Sequence, residues 1–344
     1  MPCSRHKGGA LISALFITAI AAIIATGMIV QQRLLIHEAE LIIRSDQLYS
    51  QLEGMQYQAE APIAQYVNQL RAQNASAEFI PLKAIIQKVL VSDIVMTGTI
   101  ESEQGKFNIN NLIYRANQSQ FVPLLRAVAP GLSLQQAYAI AKNITTWMSG
   151  NQDDPYYLKQ DPAYTASETE MVNISELLLV RGVTPTIYAA IKPYITAIPL
   201  KKQISIPTTQ TAPIAPTMPT QSVSQPTGLA PLQQATTETP IDINAATAPV
   251  LLTTNATLTL AKAEDIVACR NRYHGFANTS AFVTACVTPV GVGTLSNITV
   301  LSYYYVSKIQ GEYEHHLVTL TRLWVTMIQK NNTLKVQPVW QSFE

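Results

Sequence analysis

The residues of this sequence that could do chemistry are few and scattered. Five histidines and three cysteines leave little material for a multi-ligand zinc site. His315 and His316 are adjacent in a strand-like stretch, where neighbouring side chains point to opposite faces, so a surface pair is favoured over a metal site. No G-x-S-x-G, H-E-x-x-H or P-loop motif occurs. The sequence therefore predicts a protein that is not an enzyme and requires no cofactor.

Cys269 and Cys286 form the one pair whose spacing suggests covalent chemistry. They are 17 residues apart, and Cys3 stands alone near the N-terminus. In an oxidising compartment such a pair forms one disulfide, worth about 3 kcal/mol. Two buried free thiols are the alternative.

Composition excludes several classes of protein. Of the 344 residues, 47% are hydrophobic and only 13% are charged, which argues against a fully disordered chain. Lys and Arg total 23 against 22 Asp and Glu, so the net charge is +1. A chain this balanced has no general attraction to nucleic acid.

The elements that must position these residues begin with an apolar run over residues 10–30. It contains no charge, and its 21 residues would span roughly 32 Å as a helix, the thickness of a bilayer core. Arg5 and Lys7 precede it, which favours a cytoplasmic N-terminus and a bulk on the other side of the membrane. A cleaved signal peptide would need a shorter run and a small-x-small site, so a single-span anchor is the plainer alternative.

The residues before this run support a third interpretation. Arg5, His6, Lys7 and Gly8 precede Gly9, and this order resembles the type IV prepilin leader, which is cut after the glycine. The mature chain would begin at Gly9 and keep its apolar helix. Prepilin processing and a plain anchor both remain open on the leader alone.

The rest of the chain alternates in character. Helical spacing continues to about residue 60, and Pro62 lies just past it. Strand-like runs fill 82–111, and helical patterns follow to residue 198, with Ser133 as an N-cap. Residues 199–240 contain eight prolines and nine threonines, which indicates a linker or long loop. Short helices are predicted over 245–288, and three antiparallel strands over 298–343 with turns near Gly311 and residues 331–332. This order predicts an α+β fold in which a large α-helical domain is inserted into an antiparallel sheet.

Several segments together resemble the K-type minor pseudopilins of bacterial type II (general) secretion systems. Residues 98–112, G-T-I-E-S-E-Q-G-K-F-N-I-N-N-L, are similar to the family's E-D-E-Q-G-R-F-N-L-N-N-L. Further matching segments lie in the leader at 7–12 and at 162–164, 174–183, 193–199, 243–248 and 275–276. The ordered set covers nearly the whole chain apart from the linker.

The resemblance implies a pilin-like fold with these parts: a leader (1–8), a spine helix (9–60, membrane-spanning over 10–32), a β part (61–111 and 296–344) and an inserted α-domain (112–295) that a linker at 200–240 interrupts. It implies processing by a prepilin peptidase at Gly8 and Gly9, with methylation of the new N-terminus. Packing in the membrane would use the following residues: Ala10, Leu11, Ile12, Ser13, Leu15 and Phe16.

The resemblance also implies partners and a location. We expect other minor pseudopilins, the major pseudopilin and the inner-membrane assembly platform as partners, and no nucleic acid. Exported proteins and the outer-membrane channel are further expected contacts. The protein would be a single-pass inner-membrane protein with its bulk in the periplasm. It would lie at the tip of the pseudopilus and support export of folded proteins.

Two local features bear on this interpretation. Ser13 stands at mature position 5, where major pilin-like subunits have a glutamate, and a subunit with none above it does not need that buried charge. The resemblance suggests calcium at an acidic loop, here Asp153, Asp154 and Asp161, because oxygen ligands suit a hard cation. Adjacent aspartates before a proline also form a solvated turn or a helix cap.

The main rival is a membrane-tethered DNA-binding or DNA-uptake protein. Residues 241–293 resemble a helix-hairpin-helix domain, with a G-V-G turn at 291–293. Lys262, Arg270 and Arg272 could add positive charge. The first hairpin of that pattern, however, lacks glycines at residues 253–255.

Overall fold

A computed structural model describes residues 9–72, 83–91, 94–150, 154–203, 235–313, 316–329 and 332–343. The helices are α1 (Gly9–Tyr57), α2 (Glu60–Ala72), α3 (Gln118–Val128), α4 (Leu134–Ser149), α5 (Pro155–Leu158), α6 (Pro185–Ile191), α7 (Ala248–Leu251), α8 (Leu260–Arg272) and α9 (Thr279–Phe282). The strands are β1 (Lys83–Val91), β2 (Ile94–Ser102), β3 (Phe107–Asn108), β4 (Ile195–Thr196), β5 (Lys201–Gln203), β6 (Ala235–Thr237), β7 (Ile241–Asp242), β8 (Ile298–Thr299), β9 (Tyr304–Tyr313), β10 (His316–Ile328) and β11 (Leu334–Phe343).

The N-terminal helix is the longest element and continues almost directly into α2. α1 runs for 49 residues and ends at Tyr57. Sequence reasoning placed Pro62 just beyond the helical run, but Pro62 lies in the first turn of α2. Proline is tolerated there because the first-turn N–H groups have no partner within the helix.

The main sheet has five strands in the order β1-β2-β9-β10-β11, and every neighbouring pair is antiparallel. β2 and β9 are hydrogen-bonded neighbours although about two hundred residues of chain separate them. The region between them, residues 103–303, is therefore an insertion between two adjacent strands. β1 and β11 are the edges of the sheet, and β10 carries a register shift against β11 between Leu323 and Trp324.

One face of this sheet packs against α1 and α2. Gly311 lies within β9, where sequence reasoning expected a turn, and a Cβ atom there would lie 2.6 Å from Leu48 Cδ1. The glycine therefore allows close approach of helix and sheet. The buried apolar residues of this core are Leu48, Leu52, Met55, Ala59, Ile63, Val67, Met96, Ile100, Tyr305, Ile309, Leu320, Trp324 and Val336.

The inserted region has its own, larger core. Helices α3, α4, α6, α7, α8 and α9 surround fully buried side chains that include Phe121, Leu124, Ile144 and Phe282. Ser133 caps α4 and forms a capping box with Gln136, as the sequence predicted for its N-terminus.

Two strand predictions need correction. Residues 105–110 were expected to form a strand, but only Phe107–Asn108 is extended, and 3₁₀ turns occupy 103–105 and 109–113. The asparagines at 110 and 111 use their side chains to bond distant backbone, which a regular ladder would not permit. Within the Thr/Pro-rich linker, β5 pairs with β6, and residues 204–234 lie outside the described residues.

A polar contact is buried between α1 and the sheet. The Gln56 side chain donates from Nε2 to the Leu320 carbonyl oxygen over 2.8 Å and accepts from the Ser307 hydroxyl. Trp324 Nε1 in turn donates to Ser307 Oγ over 2.7 Å. Since Gln56 has no exposed surface, these bonds fix the register of the helix against the sheet.

We expect Gln56→Met to lower the free energy of unfolding by about 1–3 kcal/mol, because it leaves buried Ser307 and Leu320 groups without their partner. Urea unfolding of the full chain in detergent measures this. Gln58→Met is the matched control, since Gln58 is exposed in the turn directly after α1. Equal stability of the two variants would contradict the assigned role.

Candidate functional site

The first part of α1 presents an exposed apolar surface. The most apolar stretch of the helix is not buried against the rest of the described chain. The helix is long and apolar enough to cross a membrane. Leu11 is 67% exposed and Phe16 is 66% exposed. An apolar helix left uncovered by its own chain needs lipid or other helices around it.

The predicted processing and packing residues lie at the start of this helix. Gly8 lies outside the described residues, and Gly9 and Ala10 open α1. Leu11, Ile12, Leu15 and Phe16 are all exposed, and Ser13 shares their stretch. The structure therefore leaves the four apolar side chains exposed and available for packing.

Exposed apolar side chains continue beyond the predicted span at 10–32. Between them lie charged residues such as Glu38, Glu40 and Arg44, so this portion is not uniformly lipid-like. The exposed apolar residues here are Leu34, Leu35, Ile36, Leu41, Ile42 and Ile43. Burial against the sheet begins only at Leu48. A mixed apolar and charged surface of this kind suits packing against other amphipathic helices.

Three buried asparagines near the start of the insertion join separate segments of the inserted domain. Asn108 donates to the Ile198 carbonyl oxygen over 2.8 Å and accepts from Ile198 N–H over 3.0 Å. Asn110 makes the same two-way pairing with Met171, at 3.0 and 2.8 Å. Asn111 pairs in both directions with Thr239, each over 2.9 Å. Each side-chain amide thus bonds both backbone groups of one residue, as a neighbouring strand would, and each bonds a residue in a different segment of the chain.

Gln104 and Gly105 complete this junction. Gln104 Nε2 donates to the Pro240 carbonyl oxygen over 3.1 Å, and its Oε1 accepts from the N–H groups of Tyr303 and Tyr304. At Gly105 an added Cβ would lie 2.7 Å from Ala245 Cβ and 2.9 Å from its backbone carbonyl. The start and the end of the insertion are therefore held together at one place.

A buried charged pair stands beside the junction. Asp242 is 5% exposed, and it accepts from the Ser302 hydroxyl over 2.7 Å and from Asn244 N–H over 2.9 Å. Burial raises the pKa of Asp242 above its ordinary value, against the opposing effect of these hydrogen bonds and of Arg270. Burial likewise lowers the pKa of Arg270, whose Nη1 donates to the Ile243 and Ala246 carbonyl oxygens.

Cys269 and Cys286 are paired as a disulfide in the structure. Their Cα atoms are 5.6 Å apart, and the bond links α8 to the turn after α9. Both residues are buried in the core of the inserted domain, at 8% and 1% exposure. Of the two alternatives open from the sequence, the structure has the disulfide.

The acidic loop does not gather into a metal cluster within the described part of the chain, where no group of three acidic, histidine or cysteine side chains could hold an ion. Asp154 caps α5 by accepting from Tyr156 N–H over 2.9 Å, which is the helix-cap alternative. Asp161 precedes a cis proline, and Asp153 lies outside the described residues. Calcium at this loop stays a prediction.

The segment that resembles a helix-hairpin-helix domain uses its cations internally. Arg270 is only 9% exposed and bonds backbone carbonyls. Lys262 Nζ lies 3.5 Å from the Gly291 carbonyl oxygen. Of the three cations that the sequence offered for phosphate, only Arg272 is exposed without a recorded bond. His316 opens β10, and His315 lies outside the described residues.

The fold as a whole defines a pilin-like protein that carries an inserted helical domain. A chain in the crystal structure of the GspK–GspI–GspJ complex from the enterotoxigenic Escherichia coli type 2 secretion system superposes with a TM-score of 0.61. The two share 16% sequence identity, and the match covers 88% of this chain and 98% of the other. The predicted α+β fold class is confirmed.

Sequence comparison agrees with the fold. Residues 105–200 match the family model for type II secretion system (T2SS), protein K. The protein of that name from Pseudomonas aeruginosa is 23% identical over 221 residues, 59% of this chain and 65% of that protein, just under two thirds of its length. Its counterpart from Aeromonas hydrophila is 25% identical over 224 residues, 59% of this chain and 67% of that protein. These matches confirm the resemblance to the K-type minor pseudopilins of type II secretion.

Sequence reasoning used residues 98–112 only as a family motif and missed what its polar residues do. The run of three asparagines and one glutamine among apolar neighbours was the available signal, since such side chains are buried only when bonded. The electrostatic interaction of Asp242 with Arg270 was missed because 28 positions separate them and their proximity depends on the tertiary fold.

We expect Gly105→Ala to lower the free energy of unfolding by about 2 kcal/mol or more, because the new methyl group meets the Ala245 backbone. The matched control is Gly131→Ala, since nothing lies within 4 Å of a Cβ there. Thermal unfolding followed by circular dichroism measures both. A Gly105 variant as stable as the control would show that the two segments can separate without cost.

We expect the stability difference between the wild type and Asp242→Asn to depend on pH. Since burial raises the pKa of Asp242 in the folded state, that state binds the proton more tightly than the unfolded chain. The wild type should therefore gain stability relative to the variant as pH falls from 7 towards about 4, the ordinary range of aspartate. Urea unfolding across this range measures the difference. A wild type whose free energy of unfolding falls relative to that of the variant on acidification would contradict the raised pKa.

Proposed function

We propose that this protein is a minor pseudopilin that works at the tip of a type II secretion pseudopilus. The observation that carries the proposal is the division of α1 into two parts. One part packs on the sheet from Leu48 onward, and the other leaves an apolar surface uncovered from Leu11 to Ile43. This geometry supports insertion in the inner membrane first and packing against the helices of other subunits afterwards.

The inserted domain supports a position at the tip. Residues 103–303 leave the sheet after β2 and return at β9, so their bulk is added outside the unit formed by the spine helix and the sheet. A subunit within a helical shaft needs neighbours on all sides, and a large lateral domain opposes that. Ser13 agrees with this position, since it supplies no carboxylate for a subunit above.

The partners follow from the same surfaces. The relative of known structure comes from a complex of GspK, GspI and GspJ, and we infer that this chain likewise joins other minor pseudopilins through α1. The prepilin peptidase, the major pseudopilin and the inner-membrane assembly platform complete the proposed set. The bulk of the chain would lie in the periplasm, an oxidising compartment that suits the Cys269–Cys286 disulfide.

The proposed role is structural, without catalysis or a required cofactor. Initiation of the filament and support for export of folded proteins would follow from the tip position. Calcium remains an optional ligand of the loop that contains Asp153, Asp154 and Asp161, where carboxylate oxygens lie close in sequence.

Processing provides the first test. We expect the mature chain in a secretion-competent host to begin at Gly9, and Gly8→Val to remain uncut because the larger side chain fills a site built for a small residue. Intact mass spectrometry of the membrane fraction measures both. Gly8→Ala is the conservative control and should retain partial cleavage. Normal maturation of the valine variant, or an intact Met1 in the wild type, would contradict the proposal.

A further inference from the structure

A cleft lies between the main sheet and the inserted domain, on the side away from α1. Its volume is about 650 Å³. Strands β9, β10 and β11 form its floor, and the start of the insertion and the segment around α6 form its walls. None of the surfaces described so far includes it.

The floor is a polar strip that strand register places on one face. Lys308 of β9 pairs with Thr321 of β10, and Thr321 pairs with Ser342 of β11. Gln310 and Thr319 pair in the next row. Because side chains alternate along a strand, these residues face away from the neighbours that pack on α1, such as Ser307 and Ile309.

The charged residues that line the cleft are mostly lysines. Lys106 Nζ lies 2.9 Å from a Glu103 carboxylate oxygen, so these two charges compensate each other. Lys192 and Lys308 are both exposed, and neither has a carboxylate partner among the residues that the structure describes. Glu101 stands next to the cleft in β2 but does not line it. The cleft is thus locally positive in a chain of net charge +1.

We propose that this cleft binds an acidic, extended polypeptide segment of a protein from outside the filament. Two uncompensated lysines supply the charge complementarity, and the hydroxyl and amide groups of the floor supply donors and acceptors for a peptide backbone. The cleft reaches the edge strand β11 through Trp340 and Ser342, so a bound segment can lie across the sheet with its ends free.

The position of the cleft on the sheet indicates whether its occupant is a filament neighbour or a partner from outside the filament. Neighbouring subunits pack through α1 in the proposed function, on which this inference rests, and α1 covers the opposite face. The cleft stays accessible when those contacts form. The occupant is therefore a segment that approaches from the periplasm.

The experiment uses the full chain in detergent micelles and two labelled probes. One is a short peptide of glutamate, glycine and serine, and the other has glutamine in place of every glutamate. We expect fluorescence anisotropy to show binding of the acidic peptide alone, weakening as salt is added. Emission of Trp340 gives a site-specific signal, because Trp147 and Trp324 are buried in the two cores away from the cleft. Trp340→Phe should remove that signal.

Paired charge reversals test the site. We expect Lys192→Glu with Lys308→Glu to weaken binding of the acidic peptide by about tenfold or more. Lys142→Glu with Lys159→Glu is the matched control, since it changes the net charge equally at exposed lysines outside the cleft and should leave binding within about twofold. Equal weakening in both variants, or no preference for the acidic peptide, would overturn the proposal.

Two further readouts separate this inference from the proposed function. The cleft variant should still begin at Gly9 and still associate with a partner minor pseudopilin, and failure there would count against its folding or the pseudopilin role. A partner minor pseudopilin that displaces the acidic peptide from the wild type would show that the occupant is a filament neighbour, which overturns the inference.

Discussion

The rest of the structure depends on how a long insertion is tied into a sheet without leaving buried backbone groups unpaired. β2 and β9 are hydrogen-bonded along their length, yet residues 103–303 must leave and return between them. Side-chain amides solve this problem. Gln104 accepts from Tyr304 N–H at the start of β9, and Asn108, Asn110 and Asn111 bond distant backbone within the insertion. Loss of such a partner costs more than the bond itself contributes, because the group left behind stays buried.

Much of the fold could be predicted from the sequence because its signals are local. The uncharged run at 10–30, the three C-terminal strands and the cap at Ser133 each depend on residues near one another in the chain. Gly311 shows where this reasoning ends: glycine is typical of a turn, but here it makes room for Leu48 from a helix more than two hundred residues away. A close approach of that kind has no local signal.

Of the candidate functional features, one could likewise be predicted from the sequence and others depend on the tertiary fold. The apolar helix could be predicted, since its composition alone requires a membrane or partner helices. The burial of Arg270 could not be predicted, because a cation at the end of a helix is usually solvated. Only the tertiary fold brings it to the carbonyl oxygens of Ile243 and Ala246. The cleft around Lys192 and Lys308 could not be predicted either, since it forms only when the insertion folds over the face of the sheet away from α1.

The two faces of the main sheet therefore differ in their side chains and in what packs against them. The face under α1 is apolar and packs on the helix whose first part stays exposed and is apolar enough to cross a membrane. The other face carries a polar strip beside a small apolar cluster and is partly covered by the insertion, so a neighbouring spine helix does not suit it. Because strands alternate their side chains, the sequence can change on one face without disturbing the other. That independence lets a pilin-like fold carry a second surface while it keeps the packing of its long helix.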